Sequence, residues 1–175
     1  MRKLPEILTE EEFNRIIGVT ESSRDNIMLK FMYYTGVRVN ELTHIKKSDI
    51  NFKDGITRID AKFAKRKKER LQPIPKTFLS ELKRYCEFLG ESIILFEMTN
   101  QRVWQIVKHY TKKAKINKNI HPHSFRHSFA TRVYEAKGDL GFVQELLDHE
   151  NLATTGIYKH LSSKQKKATV DEVFK

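Results

Sequence analysis

Two short stretches decide how this chain is read: Thr35-Gly36-Val37-Arg38-Val39-Asn40-Glu41-Leu42 and His121-Pro122-His123-Ser124-Phe125-Arg126-His127. In the first, a helical run with Ile27, Met28, Phe31 and Met32 on one spacing meets Gly36, which breaks it. Arg38 follows at once, opening a second short helix expected over 38–45. In the second, His123 and Arg126 stand at i and i+3, so one helix face can present an imidazole and a guanidinium together.

The surroundings of these stretches are helical. Thr9-Glu10-Glu11-Glu12 reads as a capping box, opening a helix to about Ile17, and a second helix is expected over 24–34. After 45 the period changes. Phe52-Lys53-Asp54-Gly55 is a turn, Ile56-Thr57-Arg58-Ile59 begins a strand, and a charged tip, Lys65-Arg66-Lys67-Lys68, leads to another strand over 69–74. This is a β-hairpin or part of a three-stranded sheet, ended by Pro75. Helices are then expected over 77–89, 101–115, 124–137 and 140–147, with short ones near 155–160 and 163–173. Gly138 is placed as a C-cap and Asp139 as the next N-cap. The fold class is mainly α with a small antiparallel β-sheet, an α+β arrangement.

At 175 residues and 39% hydrophobic, the chain has the material for one ordinary domain. Its 33 Lys and Arg against 22 Asp and Glu leave a formal net charge of +11, which favours a polyanionic partner, DNA or RNA by default. A lysine-rich proteome would give the same excess. Cys86 is the sole cysteine, so no intrachain disulfide is available, and its amphipathic setting suggests a packed thiol. No signal-peptide pattern and no run of about 18 apolar residues is present, so a cytoplasmic place is expected, nucleoid-associated or as a viral or mobile-element protein in a host cell.

Four segments taken in order carry a resemblance: Thr35 to Leu42 with Arg38; the run Ala64-Lys65-Arg66-Lys67-Lys68-Glu69-Arg70; His123, Arg126 and His127; and Leu146-Leu147-Asp148-His149, followed nine residues after the histidine by Tyr158 in Thr154-Thr155-Gly156-Ile157-Tyr158. Each is weak alone. Together, over about residues 4–161, they resemble the tyrosine recombinase, or phage integrase, family. The resemblance implies a catalytic domain that cuts and rejoins double-stranded DNA through a covalent 3′-phosphotyrosyl intermediate and a free 5′-hydroxyl, with no metal, ATP or other cofactor. It implies Arg38, Lys65, His123, Arg126, His149 and Tyr158 as the catalytic set. It also implies self-association on DNA, with a tetrameric synapse in the full system.

The chemistry suits those residue types. Charge grows on the non-bridging oxygens of a phosphodiester under attack, and Arg38 and Arg126 would offer permanently charged planar forks to them. A tyrosine hydroxyl has an ordinary pKa of about 10, so Tyr158 needs a base or strong positive surroundings. His123 can take its proton or orient the phosphate. In the family's arrangement Lys65 would protonate the departing 5′ oxygen, and His149 would bond the phosphate. Arg66, Lys67, Lys68, Lys108 and Lys112 are candidate contacts to the DNA backbone.

Plainer readings stand beside these. Arg38 can simply pair with Glu41 at i, i+3, and without the other segments that reading would lead. His123 and His127 have the i, i+4 spacing of metal ligands, but the H-E-x-x-H carboxylate and cysteine ligands are missing. Lys62, Lys67 and Lys68 lie within reach of the role given to Lys65. Tyr33, Tyr34, Tyr85, Tyr110 and Tyr134 fall in amphipathic patterns and read as core or partly buried, and Val103 and Trp104 read as core. The alternatives in function are strand relaxation like that of a type IB topoisomerase, a non-catalytic DNA-binding module, or an RNA-binding protein resting on charge alone.

Two features depart from the family pattern. Members usually carry a separate helical domain that closes around the other side of the DNA. Only 37 residues precede Arg38, so that core-binding domain is expected to be absent and 1–175 to form a single catalytic domain. Asp148 stands where Gly is usual, and Asp tolerates the left-handed backbone at modest cost. The segment 162–175 reads as a capped helix whose Val170, Val173 and Phe174 either pack on their own domain or bind a second subunit on DNA.

Overall fold

The computed structural model describes residues 6–65, 67–147 and 163–175. Helix α1 (Glu10–Gly18) starts from the expected capping box: the Thr9 hydroxyl accepts from the Glu12 amide and the Glu12 carboxylate accepts from the Thr9 amide. Its buried face is Phe13 and Ile16. Helix α2 (Ser23–Thr35) buries Ile27, Met28, Leu29, Phe31, Met32, Tyr33 and Thr35. A helix enclosed on so much of its circumference runs through the core rather than over it. Gly36 ends it at φ 63, the left-handed cap expected of a glycine.

The next helix, α3 (Val39–Leu42), is shorter than the expected 38–45. Arg38 is its N-cap, with extended backbone, and the helix stops at Thr43. The Thr43 hydroxyl bonds Asn100 Oδ1 at 2.9 Å, and Lys46 pairs with Ile94 in a β-bridge, so tertiary partners take the chain before another turn forms. A 3-10 turn over Lys47–Asp49 leads to a three-stranded antiparallel sheet, ordered β1 (Ile50–Asn51), β2 (Ile56–Ile59) and β3 (Arg70–Pro73). The outer pair of the β2–β3 ladder is Ile59 opposite Arg70, so residues 60–69 form the loop that carries Lys65.

Helices α4 (Lys76–Phe88), α5 (Asn100–Lys113), α6 (Pro122–Lys137), α7 (Leu140–Leu147) and α8 (Ser163–Val173) complete the described chain. Gly138 caps α6 in the left-handed conformation, and the Asp139 carboxylate accepts from the Phe142 amide at 3.0 Å, as the sequence predicts. The expected short helix over 155–160 lies outside the described residues. No helix among the described residues is long and apolar enough to cross a membrane.

The core is aromatic where α1, α2, α6 and α8 meet. Phe13 stacks on Tyr33 at 3.7 Å, and Phe174 stacks on Phe129 at 5.5 Å with an edge to Tyr33. Val170 and Phe174 are buried against their own domain, and the Arg132 guanidinium lies 5.0 Å over the Phe174 ring. Cys86 is buried, as a packed thiol should be. Tyr33, Tyr85 and Tyr110 are buried, and Tyr34 is half-buried. Two expectations are overturned: Tyr134 is 47% exposed and Trp104 37% exposed. Tyr134 lies in the last turn of α6 beside the Gly138 cap, where the core has ended, and Trp104 finds its partner at the surface.

Candidate active site

Arg38, His123 and Arg126 are brought together by two helix starts, α3 and α6, on the turn that Gly36 makes. Pro122 opens α6, a position where the missing amide costs nothing. The Ser124 amide bonds back to the His121 carbonyl at 2.8 Å, which fixes the first turn. His123 stays exposed on that turn, while Arg126, one turn on, is buried.

The buried arginine is a brace. Its Nη1 donates to the Gly36 carbonyl at 2.5 Å, and its Nη2 donates to the Leu147 carbonyl at the end of α7. The guanidinium therefore joins the α2–α3 turn to the point from which the chain runs on toward His149. These two bonds use part of the fork's donor capacity. Gly36 is also closely packed, since a Cβ there would come 2.6 Å from Phe129 Cδ1.

Arg38 is held from the other side. Its Nη1 lies 3.1 Å from Glu41 Oε1, and its amide donates to Glu41 Oε2 at 2.8 Å, so the plain i, i+3 pair weighed above is present. Yet Glu41 has a second, closer partner that the sequence did not disclose. Arg70 grips both carboxylate oxygens, at 2.7 and 2.8 Å. The Glu41 side chain is wholly buried, and a buried carboxylate is tolerable only when so paired. Burial is the largest single influence on it and acts upward; the Arg70 hydrogen bonds and charge, with the Arg38 amide and charge, together outweigh it and hold the carboxyl below its ordinary value. The signal for Arg70 was in view, in the Lys-Glu-Arg run, but its partner lies 29 residues away.

His123 is pushed below the ordinary imidazole value of 6.5, first by loss of water around the ring, then by the charges of Arg126 and Arg38. Both guanidiniums thus act on this ring. His121 meets His123 edge-to-face at 6.1 Å and stacks on Trp104 at 5.2 Å. Its Nδ1 is buried without a hydrogen-bond partner among the described residues. Trp104, placed in the core by sequence, is instead the outer plate of this Trp104–His121–His123 stack. His127 is half-buried, also with a lowered pKa caused first by burial, then by His123 and Arg126.

Lys65 is exposed in the β2–β3 loop. Lys67 and Lys68 are exposed beside it, and Lys67 takes the left-handed backbone at φ 50. The loop is tied to α3 and the turn that follows it: Asn40 Nδ2 donates to the Phe63 carbonyl at 3.1 Å, His44 stacks on the Phe63 ring at 3.8 Å, and Ala64 is buried. Lys108 and Lys112 are exposed on α5, at successive four-residue steps from Trp104, so the three form one stripe leading from the histidine stack. Lys108 also bonds Asn119 Oδ1. Arg66, His149 and Tyr158 lie outside the described residues. Among the described residues, no group of three or more His, Cys, Asp or Glu is placed to hold a metal ion.

The model of the phage integrase family matches residues 6–165, nearly the whole chain. The chain belongs to the phage integrase family. The family's tyrosine recombinase XerA from Pyrococcus horikoshii is 36% identical over 181 residues, covering 98% of this chain and 62% of that protein. A crystal structure of XerA recombinase superposes with a TM-score of 0.76 at 28% identity, over 99% of this chain and 64% of that one. The site-specific recombinase XerH, bound to palindromic difH substrate in a post-cleavage complex, gives 0.72 at 26% identity, over 85% of this chain and 48% of that one. The fold of this phage integrase family member is thus that of the tyrosine recombinase catalytic domain. The chain spans about three-fifths of the length of the curated relatives it matches.

Proposed function

We propose that this chain cuts and rejoins double-stranded DNA as the catalytic domain of a site-specific tyrosine recombinase. The observation that carries the proposal is the convergence of Arg38, His123 and Arg126 at the Gly36 turn, where loss of water around the ring, and then the two guanidiniums, lower the imidazole pKa. That arrangement can hold a phosphodiester between two permanent cations while keeping the histidine neutral enough to accept a proton. The DNA complex of XerH supports DNA as the partner.

In the proposed step the Tyr158 oxygen attacks phosphorus. The phosphorus–Oη bond forms as the bond to the 5′ oxygen breaks. The tyrosine proton passes to His123, and the departing oxygen takes one from Lys65. Arg38, Arg126 and His149 steady the charge on the non-bridging oxygens. The phosphotyrosine keeps the energy of the broken bond, so a free 5′-hydroxyl reverses the step without ATP. Attack by a hydroxyl from another duplex gives recombination, with four protomers in a synapse. The Trp104–Lys108–Lys112 stripe and the loop cations Arg66, Lys67 and Lys68 would lie along the phosphates.

A nicked suicide substrate carrying a candidate site, incubated in EDTA, tests this. Wild type forms a denaturation-resistant protein–DNA adduct and Tyr158→Phe does not. An adduct from both would place the nucleophile on another tyrosine, and tight binding with no adduct from either would make the chain a binding module.

A further inference from the structure

Two groups proposed to act on the scissile phosphate, Arg38 at its non-bridging oxygens and Lys65 at the departing oxygen, sit on separate elements, and a buried carboxylate joins those elements. Glu41 lies in α3 directly after Arg38, with its side chain fully enclosed. Arg70 is the first residue of β3 and closes the ladder opposite Ile59, so it stands at the foot of the lysine loop. The bidentate Arg70–Glu41 contact, at 2.7 and 2.8 Å, is a planar fork with one geometry, unlike the point charge of a lysine. The other limb of the loop is clamped to the same helix by Asn40 on the Phe63 carbonyl, and to the turn just after it by His44 on the Phe63 ring. Both limbs are therefore registered against the four residues of α3.

We propose that Arg70 is a positioning residue that sets the reach of Lys65 relative to Arg38 through Glu41. The inference rests on the catalytic roles proposed above, and its test has one arm that does not.

The first arm compares cleavage of a suicide substrate with its ordinary 5′ oxygen and of one with sulfur in that bridging position. A thiolate departs without a proton because thiols are far more acidic than alcohols. With the oxygen substrate, Arg70→Gln slows cleavage on the order of 10- to 100-fold, the scale of a misplaced catalytic group, and sulfur restores most of the rate. Arg70→Lys, which keeps the charge but not the fork, falls between. An equal defect on both substrates would overturn the proposal, because Arg70 would then act through the fold at large. The second arm is amide hydrogen exchange on the unbound protein. Arg70→Gln accelerates exchange across residues 60–69 and leaves α6 unchanged; unchanged exchange in that loop would also overturn it. If wild type cleaves neither substrate, the catalytic reading fails, while the exchange result still decides whether Arg70 holds the loop.

Discussion

His121, His123 and His127 crowd the first turns of α6, and burial leads the influences that push each below the ordinary 6.5. A histidine with a lowered folded-state value binds fewer protons folded than unfolded between the two values. Stability therefore rises with pH through that window, and the penalty grows as pH falls below 6.5 and levels off beneath the lowered values. Melting temperature should drop on acidification from about pH 7 to about pH 5, and His127→Gln should flatten the drop. Adduct formation should fall over the same range as His123 takes up a proton, and His123→Gln should remove that acid limb; a limb that survives the substitution would assign it to another group. Arg38, His123 and Arg126 were legible in the sequence because each belongs to a short motif. The grip of Arg70 on Glu41 was not, since ion-pair partners distant in the chain are set by the fold.

At the scale of elements, helix ends were the most legible feature. Thr9 with Glu12, Gly36, and Gly138 with Asp139 all cap where the sequence placed them, because capping is chemistry among neighbours. The length of α3 was not legible, because Asn100 and Ile94 decide it from afar. Gly36→Ala separates two effects. The left-handed backbone and the 2.6 Å approach of Phe129 should together cost about 2–4 kcal/mol in denaturant unfolding. Thr9→Ala should cost about 1 kcal/mol through the lost cap alone. Only the glycine variant should also lose cleavage at temperatures where both remain folded, because its carbonyl holds Arg126.

For the molecule as a whole, the sequence showed that α8 has an apolar side but not what that side covers, since a stripe does not name its partner. The structure buries Val170 and seats Phe174 against Phe129 and Tyr33. Phe174→Ala should lower unfolding free energy by about 3–5 kcal/mol, the usual cost of deleting a buried aromatic ring, without requiring DNA. A loss seen only in assembly on DNA would mean the helix serves a second subunit instead. Trp104 was misplaced for a related reason: an aromatic residue on an amphipathic helix reads as core until the histidine that covers it is known. The net charge of +11 predicts steep salt dependence of DNA binding. Lys108→Gln and Lys112→Gln should each reduce the slope of log affinity against log salt by about 1, with little change in site preference.

The bracing of Arg126 bears on how copies of this domain decay. A lineage released from the need to cut DNA has no further use for the proton donor proposed at Lys65, in an exposed loop, but Arg126 ties two carbonyls inside the protein and would be kept for that reason alone. Among degenerate descendants, an intact arginine at 126 is therefore poor testimony to activity, and an intact lysine at 65 is the better witness.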